Sequence, residues 1–196
     1  MVITLLNQKG GVGKSTVAYL LACALKAAQV DVAIRDGDPQ QGTLTSAVRR
    51  LGEIQIVGDG GAGIIVQDTP GHLDLHDPKN RAEAEQFIRA SDRVLLVSEM
   101  SLQCVEAAAT TAALVKACLA PRAKAFVLWN KVRVSTATGL QDKNALAKAV
   151  GLPGMKNWLP LASCYEDALA VGYAKSLSDK AKQRRLIEAL ALEVLA

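Results

Sequence analysis

The stretch Gln8-Lys9-Gly10-Gly11-Val12-Gly13-Lys14-Ser15-Thr16 constrains what this chain can fold into more than any other feature. It follows an apolar run, Val2 to Leu6. It precedes apolar residues at helical spacing: Val17, Leu20, Leu21, Ala24, Leu25 and Ala28. Glycines at 10, 11 and 13 let the backbone turn tightly enough for successive N–H groups to wrap an anion. The helix N-terminus that follows adds the positive end of its dipole. Strand, glycine loop and helix together make a phosphate-binding loop, whose cradle runs from Gly10 through Val12 and Gly13 to Thr16. In such a loop Lys14 meets the β- and γ-phosphates, the Ser15 hydroxyl is placed to ligate Mg2+, and Thr16 reaches the α-phosphate. Lys9 is a second lysine beside the one that phosphate binding requires.

Further apolar runs have the character of Val2 to Leu6: Val32 to Ile34, Gly63 to Val66, Val94 to Val97 and Ala125 to Trp129. Short runs without polar alternation are expected of strands buried on both faces of a parallel sheet. Trp158 to Leu161 is a candidate sixth. The patterns over Asn80 to Ala90, Gln103 to Leu119 and Leu140 to Val150 predict helices, and Ser178 is the expected cap of a last one ending near Ala196. Such alternation predicts an α/β fold, a doubly wound, mostly parallel sheet with helices on both faces, as in P-loop NTPases. Gly58, Gly60, Gly61 and Gly63 predict a turn before the third run. With no repeat and no low-complexity linker, residues 1–196 are expected to form a single domain.

Composition narrows the alternatives. Half the residues are hydrophobic but only 4% are aromatic, so the core must be built from Ala, Val, Leu and Ile. No stretch approaches the roughly 18 apolar residues of a membrane span. Neither a basic leader nor a cleavage site precedes the first run, so a cytoplasmic location is expected. Cys23, Cys104, Cys118 and Cys164 form no CxxC pair and are expected to be buried apolar residues. The net charge of +4 is uneven: residues 121–196 hold 12 basic against 6 acidic side chains, residues 1–120 hold 11 against 13. The basic excess points to a polyanion near the C-terminal part or to a solvated helix face.

Three acids fall where strands end. Asp36 and Asp38, two apart in Arg35-Asp36-Gly37-Asp38-Pro39-Gln40, can both face a bound phosphate and its Mg2+. Ile64-Ile65-Val66-Gln67-Asp68 ends an apolar strand in an acid suited to hold Mg2+ through water. After the fifth run comes Trp129-Asn130-Lys131-Val132-Arg133. Guanine selectivity would need an acid where Arg133 stands, so GTP is disfavoured, and Asn130 is the candidate contact to the base.

The box KGGVGKST, with DGDPQ after the second strand and DTPG after the third, resembles the ParA/MinD family of deviant Walker A ATPases. The resemblance covers nearly the whole chain and implies ATP and Mg2+ as cofactors. It implies that Lys9 crosses a homodimer interface to the partner's nucleotide, that Asp38 positions the attacking water, and that Asp36 and Asp68 serve near Mg2+ with Ser15. It is nearest to short partition ATPases without an N-terminal helix-turn-helix domain, only eight residues preceding Lys9. That branch implies an ATP-bound dimer on nonspecific double-stranded DNA, at the nucleoid, with hydrolysis stimulated by a ParB-like partner. Lys175, Lys180, Lys182, Arg184 and Arg185 of the tail are the candidate DNA contacts, and the Leu186, Ile187, Leu190 and Val194 stripe of the last helix is expected to pack on the sheet. A MinD-like membrane-associated positioning ATPase is the alternative; its terminal amphipathic helix would need bulky apolar residues and few acids, whereas this tail has Glu188 and Glu193 and no aromatic. An iron–sulfur carrier would need paired cysteines at a dimer axis, and a metabolic ligase would have no use for Lys9. Arg35, Gln67 and Gly71 depart from the family's pattern with no functional reading.

Overall fold

Side chains alternate between the two faces of a strand, and in this protein both faces are covered. The computed structural model describes residues 1–38, 43–57 and 63–196. Among these, strands β1 (Val2–Leu6), β2 (Val32–Asp36), β3 (Gln55–Ile56), β4 (Ile64–Asp68), β5 (Arg93–Ser98) and β6 (Lys124–Trp129) form one sheet in the order β3-β2-β4-β1-β5-β6. Every pairing is parallel. Ile3 and Leu5 of β1, Val66 of β4, Leu95 and Val97 of β5 and Leu128 of β6 face one core. Helices α1 (Lys14–Ala27), α2 (Thr43–Leu51), α6 (Ser163–Val171) and α8 (Ala181–Leu195) contribute to that side. Leu6, Val94, Leu96, Ala125 and Val127 face the other, with α3 (Pro78–Arg89), α4 (Leu102–Cys118) and α5 (Lys143–Val150). The short α7 (Tyr173–Ser176) follows α6. The doubly wound α/β sheet expected from the sequence is thus present, and its two-sided burial explains why the strands read as unbroken apolar runs.

Several boundaries differ from expectation. Trp158 to Leu161 is not a strand. It lies beside the end of β6 through Leu159 N to Trp129 O at 3.0 Å and an isolated bridge from Val132 to Pro160, where proline has no N–H to continue a ladder. Ser178 does not cap the last helix: Lys180 holds the cap position, and the Ser178 hydroxyl donates to Lys175 O in the turn after α7. Helix α3 starts at Pro78, capped by Asp77, and α5 starts at Lys143, capped by Asp142, both carboxylates accepting backbone N–H groups. The apolar stripe of α8 packs chiefly on α1 rather than on the sheet, with Ile187, Leu190 and Val194 buried and Leu186 partly so. The four cysteines are buried and free. Pro39, Gln40 and the glycines at 58, 60 and 61 lie outside the described residues.

The sheet order puts β1 between β4 and β5: the connection from β1 to β2 runs to one side and that from β4 to β5 crosses to the other, which opens a crevice at the strand ends. The carboxyl ends of β1, β2 and β4, at Leu6, Asp36 and Asp68, meet at that crevice. No described helix is long and apolar enough to cross a membrane.

Candidate functional site

The loop between β1 and α1 has the conformation an anion cradle needs. Gly11 and Gly13 adopt φ of 77° and 90°, and Gly13 stands at the N-cap of α1. At Gly13 a side chain is excluded twice over: by the left-handed backbone, and by Asn130 Nδ2, which would lie 2.5 Å from a Cβ. The buried Lys14 side chain turns back over the loop. Its ammonium donates to Asn7 O at 3.2 Å, Gly71 O at 3.3 Å and Lys9 O at 3.5 Å. Burial lowers its pKa, opposed by the nearby negative charges of Asp68 and Asp38.

The acids converge on the same point. Asp36 and Asp68 are register partners on adjacent strands. The Ser15 hydroxyl donates to Asp68 Oδ2 at 2.5 Å, while Asp68 Oδ1 is buried with no hydrogen-bond partner among the described residues. An orphaned carboxylate oxygen beside a serine hydroxyl and a phosphate cradle fits Mg2+, whose hard, oxygen-seeking charge would satisfy it. Asp38 Oδ2 accepts from Gly71 N at 3.1 Å. Asp36 is more engaged than expected: Oδ1 accepts from Asp38 N, and Oδ2 from both the N–H and the hydroxyl of Thr45.

Lys9 is half-buried at the mouth of the loop. Its N–H donates to Asn7 Oδ1, and its ammonium has no hydrogen-bond or ion-pair partner among the described residues. Asn130 is committed on one side, its Nδ2 donating to Val12 O at 2.9 Å. It also borders a shallow pocket with Thr16, Leu20, Pro160, Leu161 and Tyr165.

Sequence reasoning passed over three braces. Asn7 is fully buried and bridges β1 to Val97 O of β5 while supporting Lys9 and Lys14. Lys131, at φ 53°, donates to Gly11 O at 3.0 Å and pairs with Glu166 of α6 at 3.6 Å. Gly71 supplies both a carbonyl to Lys14 and an N–H to Asp38. A fully polar residue closing an apolar strand was the available signal for Asn7. Arg35 and Gln67 explain each other: they are register partners, and Arg35 Nη1 donates to Gln67 Oε1 at 3.5 Å.

The five candidate DNA contacts do not behave alike. Lys175, Lys180, Lys182 and Arg185 are exposed and carry no salt bridge among the described residues. Arg184 is half-buried, donating from Nη2 to Leu177 O at 3.3 Å, so it ties α8 to the turn after α7.

A parallel sheet with a glycine cradle, a buried lysine and converging acids at its carboxyl edge defines a P-loop nucleotide-binding protein. Residues 3–172 match the family described as the CobQ/CobB/MinD/ParA nucleotide binding domain, and the chain belongs to that family. The ATP and Mg2+ expected from the sequence fit this site. Similar folds include the septum site-determining protein MinD complexed with Mg-ADP from Pyrococcus horikoshii OT3, at TM-score 0.70 and 17% identity over 98% of this chain and 95% of that one. A ParA family ATPase from Chlorobium tepidum TLS gives 0.67 and 16% over 97% of each. A putative plasmid partition protein from Borrelia burgdorferi B31 bound to AMPPNP gives 0.68 and 17% over 99% of this chain and 97% of that one. None of the curated proteins matches the chain in sequence.

Asp68 makes a pH prediction for the ligand-free protein. Burial pushes its carboxyl up to about 6 from the ordinary 3.8, against the pull of Ser15 and Lys14. The folded protein therefore keeps a proton between about pH 4 and 6 that the unfolded chain has released, so stability falls as pH rises through that window. The difference in unfolding free energy between wild type and Asp68→Asn should drift by on the order of 2–3 kcal/mol against the wild type from pH 4 to 7. Denaturant curves that stay parallel across this range would contradict the assignment.

Proposed function

We propose that this protein is an ATPase that closes as a homodimer around ATP, binds double-stranded DNA without sequence preference in that state, and partitions or positions a plasmid, chromosome or other cargo. The observation that carries this reading is the pairing of two features. One is a cradle with Lys9 at its mouth, its ammonium without a partner among the described residues. The other is an exposed basic corner formed by Lys175, Lys180, Lys182 and Arg185, which carry no salt bridge among the described residues. Unpaired surface cations can neutralise phosphates and release counterions, and doubling them in a dimer makes affinity depend on nucleotide. In the proposed cycle the loop from Gly10 to Thr16 and Lys14 hold the phosphates. Ser15 and Asp68, with Asp36 in support, would hold Mg2+, which when bound would neutralise charge on the phosphates. Lys9 reaches the nucleotide of the opposite subunit and stabilises charge there. Asp38 orients the attacking water. Asn130 Oδ1, with no hydrogen bond to a described residue, has the chemistry to accept from the adenine amino group. A ParB-like partner stimulates hydrolysis, and the protein works in the cytoplasm on the nucleoid.

The membrane alternative has less support. The apolar stripe of α8 is spent on α1, leaving Leu192, 66% exposed, as that helix's one large apolar residue facing solvent. A helix lying on a bilayer would need that stripe free.

Binding of labelled duplex DNA, followed by anisotropy with ATP, a slowly hydrolysed analogue, ADP and no nucleotide, tests the proposal. Binding should occur only in the ATP states and weaken steeply with salt. Replacing Lys180, Lys182 and Arg185 with Gln should lower the slope of log affinity against log salt by about 0.9 for each phosphate no longer neutralised, leaving ATP affinity intact. Unchanged DNA affinity in that variant would overturn the assignment. Asp38→Ala should slow phosphate release in a single turnover by about 100-fold or more while retaining ATP; normal turnover would remove Asp38 from its role.

A further inference from the structure

Helix α2 touches the nucleotide site at one end and the basic corner at the other, through charged contacts at both. At its start, Thr45 donates to Asp36 Oδ2 from its N–H at 3.1 Å and from its hydroxyl at 2.5 Å. Asp36 in turn holds Asp38 N, Asp38 holds Gly71 N, and Gly71 O holds the ammonium of Lys14. Four hydrogen-bonded steps thus run from the phosphate-binding lysine to α2.

At its far end, the Arg50 guanidinium donates to Leu169 O at 2.8 Å and Ala170 O at 2.7 Å, the last carbonyls of α6. Two residues after α2, the Glu53 carboxylate accepts from Tyr173 N at 2.8 Å and Ala174 N at 3.4 Å at the start of α7, and from the buried Tyr19 hydroxyl of α1. A cation at one helix end and an anion at the next complement both dipoles. Between them Gly172, at φ 98° and ψ 153°, makes the break from α6 to α7. A Cβ there would lie 3.0 Å from Glu53 Oε1, in a backbone region that side chains rarely adopt, so the corner is shaped to receive Glu53. Lys175 lies on α7, and Arg184 binds Leu177 O to bring α8 with it.

We propose that α2 is the strut through which the nucleotide state sets the position of the α6–α7 corner and of the basic residues it carries. A ligand shifts a conformation only through contacts that differ between the two states. Lys14 provides such a contact: a γ-phosphate, which ADP lacks, competes with Gly71 O for its ammonium and so acts on the end of the chain that runs through Asp38 and Asp36 to Thr45. The consequence for DNA rests on the DNA-binding reading above; the coupling itself does not.

Hydrogen–deuterium exchange of residues 163–176, with ADP and with a slowly hydrolysed ATP analogue, separates the two. In wild type the exchange rates there should differ between states by about fivefold or more. Thr45→Val and Arg50→Met should cut that difference below about twofold at unchanged ATP affinity, and the ATP-to-ADP ratio of duplex DNA affinities should fall in step. Thr45→Ser, which keeps the hydroxyl, should behave as wild type and shows whether Thr45→Val acts through that bond or through misfolding. A state difference that survives in both disrupted variants overturns the strut, as does its absence in wild type. Should wild type bind no DNA in any state while the exchange difference appears and is abolished in the variants, the strut stands and the DNA-binding reading falls.

Discussion

The ammonium of Lys14 is buried under the loop it belongs to, held by the carbonyls of Asn7, Lys9 and Gly71 and, among the described residues, by no carboxylate in direct contact. Desolvation lowers its pKa, and the charges of Asp68 and Asp38 resist that without neutralising it at close range. Backbone dipoles alone are poor compensation for a desolvated charge, so the position is completed by an incoming polyanion. Its three carbonyls come from two segments, the end of β1 with its loop and the turn after β4, so the position of one side chain records where both segments stand.

The surrounding polar groups keep that arrangement rigid. Asn7 fixes the loop's entry to β5, Asn130 holds its middle at Val12, and Lys131 ties Gly11 to Glu166 on α6. All are side chains reaching backbone carbonyls, of the loop at Gly11 and Val12 and of β5 at Val97. Asp68 is the exception, with one oxygen buried and unmet by any described residue. An unmet oxygen beside Ser15 is a local cost that a bound cation would offset, as expected where binding shapes a site rather than stability.

Much of this was readable in the chain itself. The loop, its buried lysine and the acids at 36, 38 and 68 were legible because glycine spacing and strand-end carboxylates have few other uses together. The long helices and five strands were legible because apolar period and length agree. Helix α2 was missed although Leu44, Ala47, Val48 and Leu51 repeat at helical spacing, because it sits between two turn-rich stretches that masked its ends. The pair Arg35 and Gln67 looked like two separate departures; only strand register makes them neighbours. Asn7 offered only its polar character at the end of an apolar strand; Lys131 and Gly71 were illegible as braces because each contact has a backbone atom on one side, which carries no sequence signal. The same is true of Arg184, whose place in the basic run hid its bond to Leu177 O.

The central claim is that Lys9 acts across a subunit interface closed by ATP, and light scattering on size-fractionated protein tests it most directly. The account predicts a monomer without nucleotide or with ADP and a dimer with a slowly hydrolysed ATP analogue. It also predicts that Lys9→Ala still binds the analogue but stays monomeric or dimerises at least about tenfold more weakly. A dimer of equal strength in Lys9→Ala, or one indifferent to nucleotide, would contradict it.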